Sequence, residues 1–284
     1  MSAHANHLTD RGVVEVAGTD AASFLQGLIT NDVARVGAER AVYAALLTPQ
    51  GKIIYDFLVA AAPDGGFWLD CVKAHAADLA ARFKKYKLRA KVTLADRSHE
   101  LAVVALSARP KVASAVIFED PRLKELGLRA ILPADDVQAL RSEAFDLHDK
   151  AEYDARRQML GVPDAATDIP PETLFPLDCN FEELHGVDFD KGCYVGQELT
   201  ARMKHRATAR RRMLPVSADA ALPAIGTPLI IGSTEVGELK GSLGTHGIAL
   251  VRLDRLGEAP EATADGVAVR IGRPAYPLIL TTGA

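Results

Sequence analysis

The chain has 284 residues, of which 48% are hydrophobic and 25% are charged, a balance that is typical of a globular protein of more than one domain. Its net charge of −4 argues against a protein whose main activity is to coat DNA. Three cysteines without a C-x-x-C pair, and apolar runs far shorter than a membrane span, predict a cytoplasmic protein with neither a DNA nor a membrane partner.

The first half of the chain combines strands with two helices. A valine-rich alternation predicts a strand over residues 12–16. A helix over residues 21–28 follows, and Thr19 or Asp20 can cap it. The Thr-Pro-Gln-Gly sequence of residues 48–51 is a strong hairpin signal, and hairpins beside helices favour an α+β fold with a largely antiparallel sheet. Further strands are predicted over residues 41–47, 52–60, 67–72, 91–96 and 101–106, and a helix over residues 74–86.

The second half begins with a helix over residues 149–160, which ends at a Gly-Val-Pro sequence. Residues 163–190 are rich in Pro and Asp and have little periodicity, so a long loop is predicted there. Beyond a helix that starts at Gln197, short strands separated by Gly and Pro indicate a small β-barrel as a separate C-terminal domain. These strands are predicted over residues 229–231, 235–240, 246–252 and 267–271.

Residues 191–198 read Lys-Gly-Cys-Tyr-Val-Gly-Gln-Glu and carry the clearest chemical signal. Cys193 lies just ahead of the predicted helix, and Lys191 is two residues away. Positive charge from both would favour the thiolate, which attacks electrophiles and binds soft metals. Alternatively, Cys193 is a small buried apolar residue, since cysteine is among the most buried residue types. The residues alone leave both interpretations open.

This motif matches the signature of the YgfZ family, whose mitochondrial counterpart matures iron–sulfur proteins, and the chain resembles that family over most of its length. The continuation Leu-Thr-Ala-Arg, which ends at Arg202, looks like the same family. The likeness is weakest over residues 108–142 and in the barrel. The other stretches that are similar to the family are residues 20–32, 48–57, 87–92 and 175–180, and Arg157 with residues 161–163.

The resemblance implies the three-domain α+β fold of the glycine cleavage T-protein, with mixed antiparallel sheets, helices and a C-terminal β-barrel. The first domain is expected to be discontinuous, formed by residues 1–38 and 143–207. Residues 39–142 would form an α+β domain and residues 208–284 the barrel. In this family fold, three domains surround a channel that holds tetrahydrofolate.

The same resemblance implies folate-binding residues. Asp56 occupies the position of one member of an acidic pair in the T-protein, while its neighbour is Tyr55, so aminomethyl transfer is in doubt. Asp178 aligns with a residue that holds the pterin ring. Asp56 could instead be a solvated strand residue, Asp178 a loop cap and Tyr194 part of the core. The further candidates for folate contact are Asn180, Tyr194, Arg157, Arg202 and Gln197.

We therefore expect a tetrahydrofolate-binding protein that supports iron–sulfur cluster assembly or repair, with Cys193 as the reactive thiol and Lys191 tuning it. Iron–sulfur client or assembly proteins would be transient partners. The alternatives are a folate-dependent one-carbon transferase and a non-catalytic folate-binding module that affects RNA modification. Whether any reaction is catalysed stays open, and the histidine spacing predicts no metal site.

Two basic clusters complete the pattern. Such runs are usually solvated faces, and RNA binding is a second interpretation. A third is that one cluster holds the polyglutamate tail of cellular folates through its cations. The first cluster is Lys84, Lys85, Lys87, Arg89 and Lys91, and the second is Lys204, His205, Arg206, Arg210, Arg211 and Arg212.

Overall fold

The computed structural model describes residues 3–206, 210–257 and 261–279. It divides into two compact units, each assembled from separated parts of the chain. The first unit comprises Met1–Leu47, Ile54–Tyr153 and His185–Val195, and the second comprises Thr48–Ile53, Asp154–Leu184 and Gly196–Ala284. The three-domain division stays a prediction, and its boundary between residues 207 and 208 lies outside the described residues.

The regular elements are mostly short strands. The strands are β1 (Ala3–His7), β2 (Arg11–Ala17), β3 (Val42–Leu47), β4 (Ile53–Ala61), β5 (Phe67–Val72), β6 (Thr93–Asp96), β7 (Leu101–Leu106), β8 (Val116–Glu119), β9 (Leu128–Pro133), β10 (Phe145–His148), β11 (Arg211–Ser217), β12 (Pro228–Ile231), β13 (Thr234–Leu243), β14 (His246–Arg252), β15 (Glu261–Ala264) and β16 (Val267–Ile271). The α-helices are α1 (Ala21–Gln26), α2 (Ala76–Tyr86), α3 (Lys150–Met159), α4 (Gln197–His205) and α5 (Leu253–Leu256). The 3-10 helices are Val33–Arg35, Lys73–His75, Lys124–Leu126, Ala134–Glu143 and Pro176–Cys179.

One sheet of the first unit has the strand order β3-β4-β5-β2-β6. Its core is built from the buried side chains of the strands together with those of α1 and α2, among them Leu25, Phe57, Leu79 and Phe83. Leu79 and Phe83 are four residues apart, so both face the sheet from one side of α2. The apolar spacing of α2 therefore explains how this helix covers the sheet.

The second sheet of the first unit has the order β10-β1-β7-β9-β8. β1 pairs with β10 in parallel and with β7 antiparallel, so the sheet is mixed. Its apolar side packs around Val104, Leu132 and Leu140. The first unit thus has two sheets with separate cores.

The barrel in the second unit is closed, with the order β11-β14-β13-β12-β15-β16. Closure removes the exposed edges that open sheets of short strands would leave. Val236, Leu239 and Val251 fill its centre. The predicted C-terminal barrel and the α+β class, with mixed sheets and helices, are confirmed.

Two local predictions differ from the structure. Asp20 begins α1 without capping it, because its carboxylate accepts a hydrogen bond from the Lys91 backbone N–H at 2.7 Å. The strand pattern also misses β1, β8–β11 and β15; β1, for example, takes its register from β10, which lies more than a hundred residues away. Within the described part of the chain, no helix is both long and apolar enough to cross a membrane.

Candidate functional site

Residues 185–195, the Cys193 segment, are held to the rest of the first unit by buried polar side chains. The Asn31 amide donates to the carbonyl oxygens of His185 and Tyr43 at 2.6 and 2.7 Å. The Thr30 hydroxyl donates to the Gly186 carbonyl at 2.6 Å, and the Thr30 carbonyl accepts from the Asp188 N–H at 3.0 Å. Thr30 and Asn31 therefore anchor a loop that is distant in the sequence.

Lys191 also binds the Cys193 segment to the backbone of residues 29–31. Its side chain is buried, and Nζ donates to the carbonyl oxygens of Ile29 and Asn31, each at 2.7 Å. The ammonium also lies 5.2 Å from the centre of the Tyr194 ring. Burial lowers the pKa of Lys191 to about 8, although Asp32 and Asp188 act in the opposite direction. The amine thus holds two backbone segments together.

Cys193 is exposed between these anchors. Of the three cysteines, all of which lie in described residues, Cys71 and Cys179 are buried and Cys193 is accessible. Burial raises the pKa of Cys71 far above its usual range. Accessibility removes the alternative in which Cys193 is a buried apolar residue. The Lys191 amine donates to the carbonyls of Ile29 and Asn31. Its predicted effect on the Cys193 thiol therefore stays a prediction.

Asp56 lies on β4 in the interior of the first unit. It is buried, and its Oδ2 accepts a hydrogen bond from the Tyr43 hydroxyl at 2.7 Å. A solvated position on a strand surface is thereby excluded. Its neighbour Tyr55 donates from its hydroxyl to Asp78 at 2.6 Å, and burial together with this bond raises the pKa of Tyr55 to about 12. Tyr55 therefore does not replace the missing carboxylate as a base.

A buried charge network that no sequence pattern predicted also lies in the first unit. Arg129 donates to Asp70 at 3.2 Å and to Asp120 at 2.9 Å. Burial alone would raise the pKa of Asp120, but the guanidinium groups of Arg122 and Arg129 outweigh it and lower that pKa. Arg11 adds a bond of 2.6 Å to Asp70. These residues come from separated elements, so no local spacing signals the network.

In the second unit, Asp178 lies in the 3-10 helix Pro176–Cys179. Its Oδ2 accepts from Arg211 at 2.7 Å and, more weakly, from the Phe175 N–H at 3.4 Å. Burial raises the pKa of Asp178, and Arg211 opposes that rise. The carboxylate therefore caps its own loop, as one alternative predicted, while it remains a buried acceptor.

Asn180 and Arg157 are engaged by internal partners. The Asn180 amide donates to the Met213 carbonyl at 2.7 Å and to the Tyr276 hydroxyl at 2.8 Å. Arg157 is buried and donates to Asp154 at 2.8 Å and to Asp168 at 2.5 Å. These contacts support the fold of the second unit, and folate contact by either residue stays a prediction.

The remaining candidates lie on or near α4. Gly196, with φ of 81°, precedes this helix, and Arg202 forms an exposed ion pair with Glu198 one turn away. Gln197 is the first residue of α4. Tyr194, in the first unit, is buried, which fits the core-filling alternative. Contact of these residues with folate is not tested by their positions.

The second basic cluster is not one exposed patch. Arg212 is buried and donates to Glu183 at 3.1 Å, and Lys204 pairs with Glu182 at 2.7 Å.

Across the described residues, no group of three or more His, Cys, Asp or Glu side chains is arranged to hold a metal ion. Cys193 is therefore not part of such a group among the described residues.

Comparison with known families supports this architecture. Residues 4–115 match the family described as the GCVT N-terminal domain, and residues 210–277 match the C-terminal beta-barrel domain of CAF17. The crystal structure of the glycine cleavage system aminomethyltransferase T from Bartonella henselae is similar with a TM-score of 0.78 and 17% sequence identity, over 96% of this chain and 86% of that one. The two proteins share a fold, which confirms the predicted T-protein-like fold class.

Several curated proteins are similar in sequence. The mitochondrial iron–sulfur cluster assembly factor IBA57 of Mus musculus is 35% identical, and that of Homo sapiens 33%, with 88% of this chain and 77% of each relative covered. The mitochondrial IBA57 homolog of Mycosarcoma maydis is 38% identical over 73% of this chain, which spans only 55% of that relative's length. These relatives are named as IBA57 proteins, so the more specific prediction that this chain is of the YgfZ type stays a prediction.

The predicted cytoplasmic location is wrong. The relatives from mouse, human and Mycosarcoma maydis are all named as mitochondrial proteins, which points to the mitochondrion. The prediction relied on unpaired cysteines and short apolar runs. Neither property distinguishes one reducing compartment from another.

Proposed function

This chain belongs to the family of the IBA57 iron–sulfur cluster assembly factors, and from that membership we propose that it supports cluster assembly or repair through the Cys193 thiol and binds a reduced folate. The observation that carries the proposal is the position of Cys193. It is the accessible thiol among three, on a segment whose backbone is held by Thr30, Asn31 and Lys191.

A thiolate is the usual protein ligand of iron–sulfur clusters, and four ligands complete a [2Fe–2S] or [4Fe–4S] cluster. Cys71 and Cys179 are buried and cannot reach an incoming cluster. Because Cys193 offers a single ligand, the cluster is substrate that passes through the site while a partner protein supplies the other ligands. The anchored backbone keeps the thiol in one position for that exchange.

Folate is the group that the T-protein-like fold implies, and the donor chemistry of two residues fits it. Asp56 and Asp178 are buried carboxylates, which suit the amine and amide edge of a pterin ring. In the proposal a buried carboxylate of this kind orients the ring: Asp56 of the first unit is the first candidate, and Asp178 of the second unit is the alternative. Bound folate would supply one-carbon chemistry at its reactive nitrogens, while this chain contributes binding and orientation.

The proposal is tested by rescue of a deletion strain, with the activity of cluster-dependent enzymes as the readout. Wild type and Cys71→Ala should restore it, since Cys71 is buried in the core. Cys193→Ser should not, although its unfolding midpoint and its tetrahydrofolate affinity stay at wild-type values. Full rescue by Cys193→Ser would contradict a role for the thiol, and the proposed function would then move to folate.

A one-carbon transferase is the second candidate, favoured by the similarity to an aminomethyltransferase structure. Tyr55 argues against it, because its hydroxyl is bound to Asp78 and its pKa is raised to about 12. Transfer of the one-carbon unit from an aminomethyl carrier to tetrahydrofolate, with formation of methylenetetrahydrofolate, release of ammonia and recovery of the carrier thiol, would support this candidate instead if Asp56→Asn abolishes it and Cys193→Ser leaves it unaffected.

A further inference from the structure

Residues 84–91, the basic turn, comprise the last residues of α2 and most of its connection to β6, and they contain five cations and no acid. The cations are Lys84, Lys85, Lys87, Arg89 and Lys91. Among the described residues, none of these five side chains forms an ion pair within 4 Å. The second basic cluster differs, since Lys204 pairs with Glu182 and Arg211 with Asp178. Within the part of the chain that the structure describes, the cations of the basic turn thus have no direct ion-pair partner, and only Lys85 has an electrostatic interaction with a nearby carboxylate, that of Asp78.

The apolar residue Leu88 lies between Lys87 and Arg89 in the basic turn. Leu88 is 91% exposed, and its φ of 42° lies in the left-handed region, which leucine rarely adopts. Tyr86 beside it is also exposed. A single exposed leucine is ordinary. Here, however, the exposed leucine also has a disfavoured backbone conformation and lies among cations without ion pairs. Neither feature stabilises the fold, so together they indicate a binding surface.

The basic turn is held firmly on both sides. Phe83 before it and Val92 after it are buried in the same core. The Asp20 carboxylate accepts from the Lys91 N–H at 2.7 Å, and the Ala90 N–H donates to a carbonyl within the turn at 2.8 Å. Leu88 is therefore presented on a fixed backbone, which lowers the entropy lost on binding.

We propose that the basic turn docks a partner protein whose surface carries an apolar pocket within an acidic rim, with Leu88 as the anchor. Charge complementarity selects an acidic partner and accelerates its approach. The aliphatic anchor favours a protein, since RNA and polyglutamate offer negative charge without an apolar pocket. The inference does not depend on the thiol of Cys193 or on folate.

The test places a photo-crosslinking phenylalanine analogue at position 88 of the full chain in cells, with the same analogue at Ile225 as the control. Ile225 is 55% exposed in the second unit and has no basic residue beside it in the sequence. The protein crosslinked at position 88 is then purified, and its affinity for wild type is compared with that for Leu88→Asn. Asparagine tolerates the left-handed conformation, so this variant should keep its unfolding midpoint.

We expect a protein adduct at position 88 that is absent at position 225. Leu88→Asn should weaken binding by at least about tenfold, as for a central interface residue. Reversal of Lys84, Lys85 and Lys87 to Glu should slow association and remove its salt dependence. Cys193→Ser should bind as wild type does, which separates this surface from the proposed function. Adducts with RNA alone, displacement by tetrahydrofolate polyglutamate, or equal affinity of Leu88→Asn would each overturn the proposal.

Discussion

In the Cys193 segment, buried polar groups hold the backbone and leave one reactive side chain outside. Around Arg157 in the second unit, buried polar groups are bound to one another. The Lys191 ammonium reaches the carbonyls of Ile29 and Asn31, whereas the Arg157 guanidinium reaches the carboxylates of Asp154 and Asp168. Both are buried cations, but only the first leaves a chemically active neighbour exposed.

The difference shows how a buried cation can serve two purposes. Carboxylate partners compensate the charge of a guanidinium, which stays protonated at ordinary pH. Such a group therefore stabilises the fold. An ammonium among carbonyls is only partly compensated, and burial lowers the pKa of Lys191 to about 8. The Cys193 segment should therefore respond to pH and to substitution in ways that the Arg157 region does not.

The largest effect is expected from Arg157→Met. This change leaves buried carboxylates without their cation, and it should lower the free energy of unfolding by about 3–5 kcal/mol. Urea unfolding measures the loss. Arg210→Met is the matched control, because its side chain is exposed and lies 3.8 Å from Asp254, and it should stay within about 0.5 kcal/mol of wild type. Equal losses in both variants would show that the buried network contributes little.

An intermediate effect is expected from Lys191→Met. The carbonyls of Ile29 and Asn31 lose a buried donor, so the free energy of unfolding should fall by about 1–3 kcal/mol. The alkylation rate of Cys193 by iodoacetamide should also change, as the segment loses its anchor. If neither stability nor alkylation changes, Lys191 does not position the segment.

The pH dependence of this variant sharpens the comparison. Between about pH 8 and the ordinary lysine pKa of 10.5, the unfolded chain binds the proton that the folded chain has released. The stability of wild type relative to Lys191→Met should therefore rise over this window, by on the order of 1 kcal/mol after screening by solvent. Lys191→Arg, which stays charged, should lack the rise.

The smallest effect on stability is expected from Cys193→Ser. An exposed thiol contributes little to folding, so the change should be within about 0.5 kcal/mol. Cys179→Ser, which buries a hydroxyl, should cost about 1–3 kcal/mol. A thiol titration should count one reactive group in the native chain and three after unfolding. More than one reactive native thiol would show that the buried cysteines open.

Local patterns predicted the elements whose signals lie within a few residues. The spacing of Leu79 and Phe83 indicated α2, and β5, β7, β14 and β16 have the predicted bounds. The same patterns missed β1 and β10, which pair with each other in parallel across more than a hundred residues. They are only five and four residues long, too short for their alternation to identify a strand.

The candidate site was predicted unevenly for the same reason. The motif of residues 191–198 and its resemblance identified Cys193, since both are contiguous in sequence. The anchors of Cys193 at Thr30 and Asn31, and the partnership of Asp56 with Tyr43, depend on contacts between distant parts of the chain. No spacing rule reports such contacts.

The sequence by itself determined the fold class, the barrel and the residue on which the proposed chemistry depends, because periodicity, turn residues and a contiguous motif are local properties. Only the tertiary structure decided which polar groups are buried and with whom. It made Lys191 an anchor, bound Arg157 to two carboxylates and left Leu88 exposed. Burial and partner choice follow from long-range packing, where the cost of an unpaired buried charge selects the final arrangement.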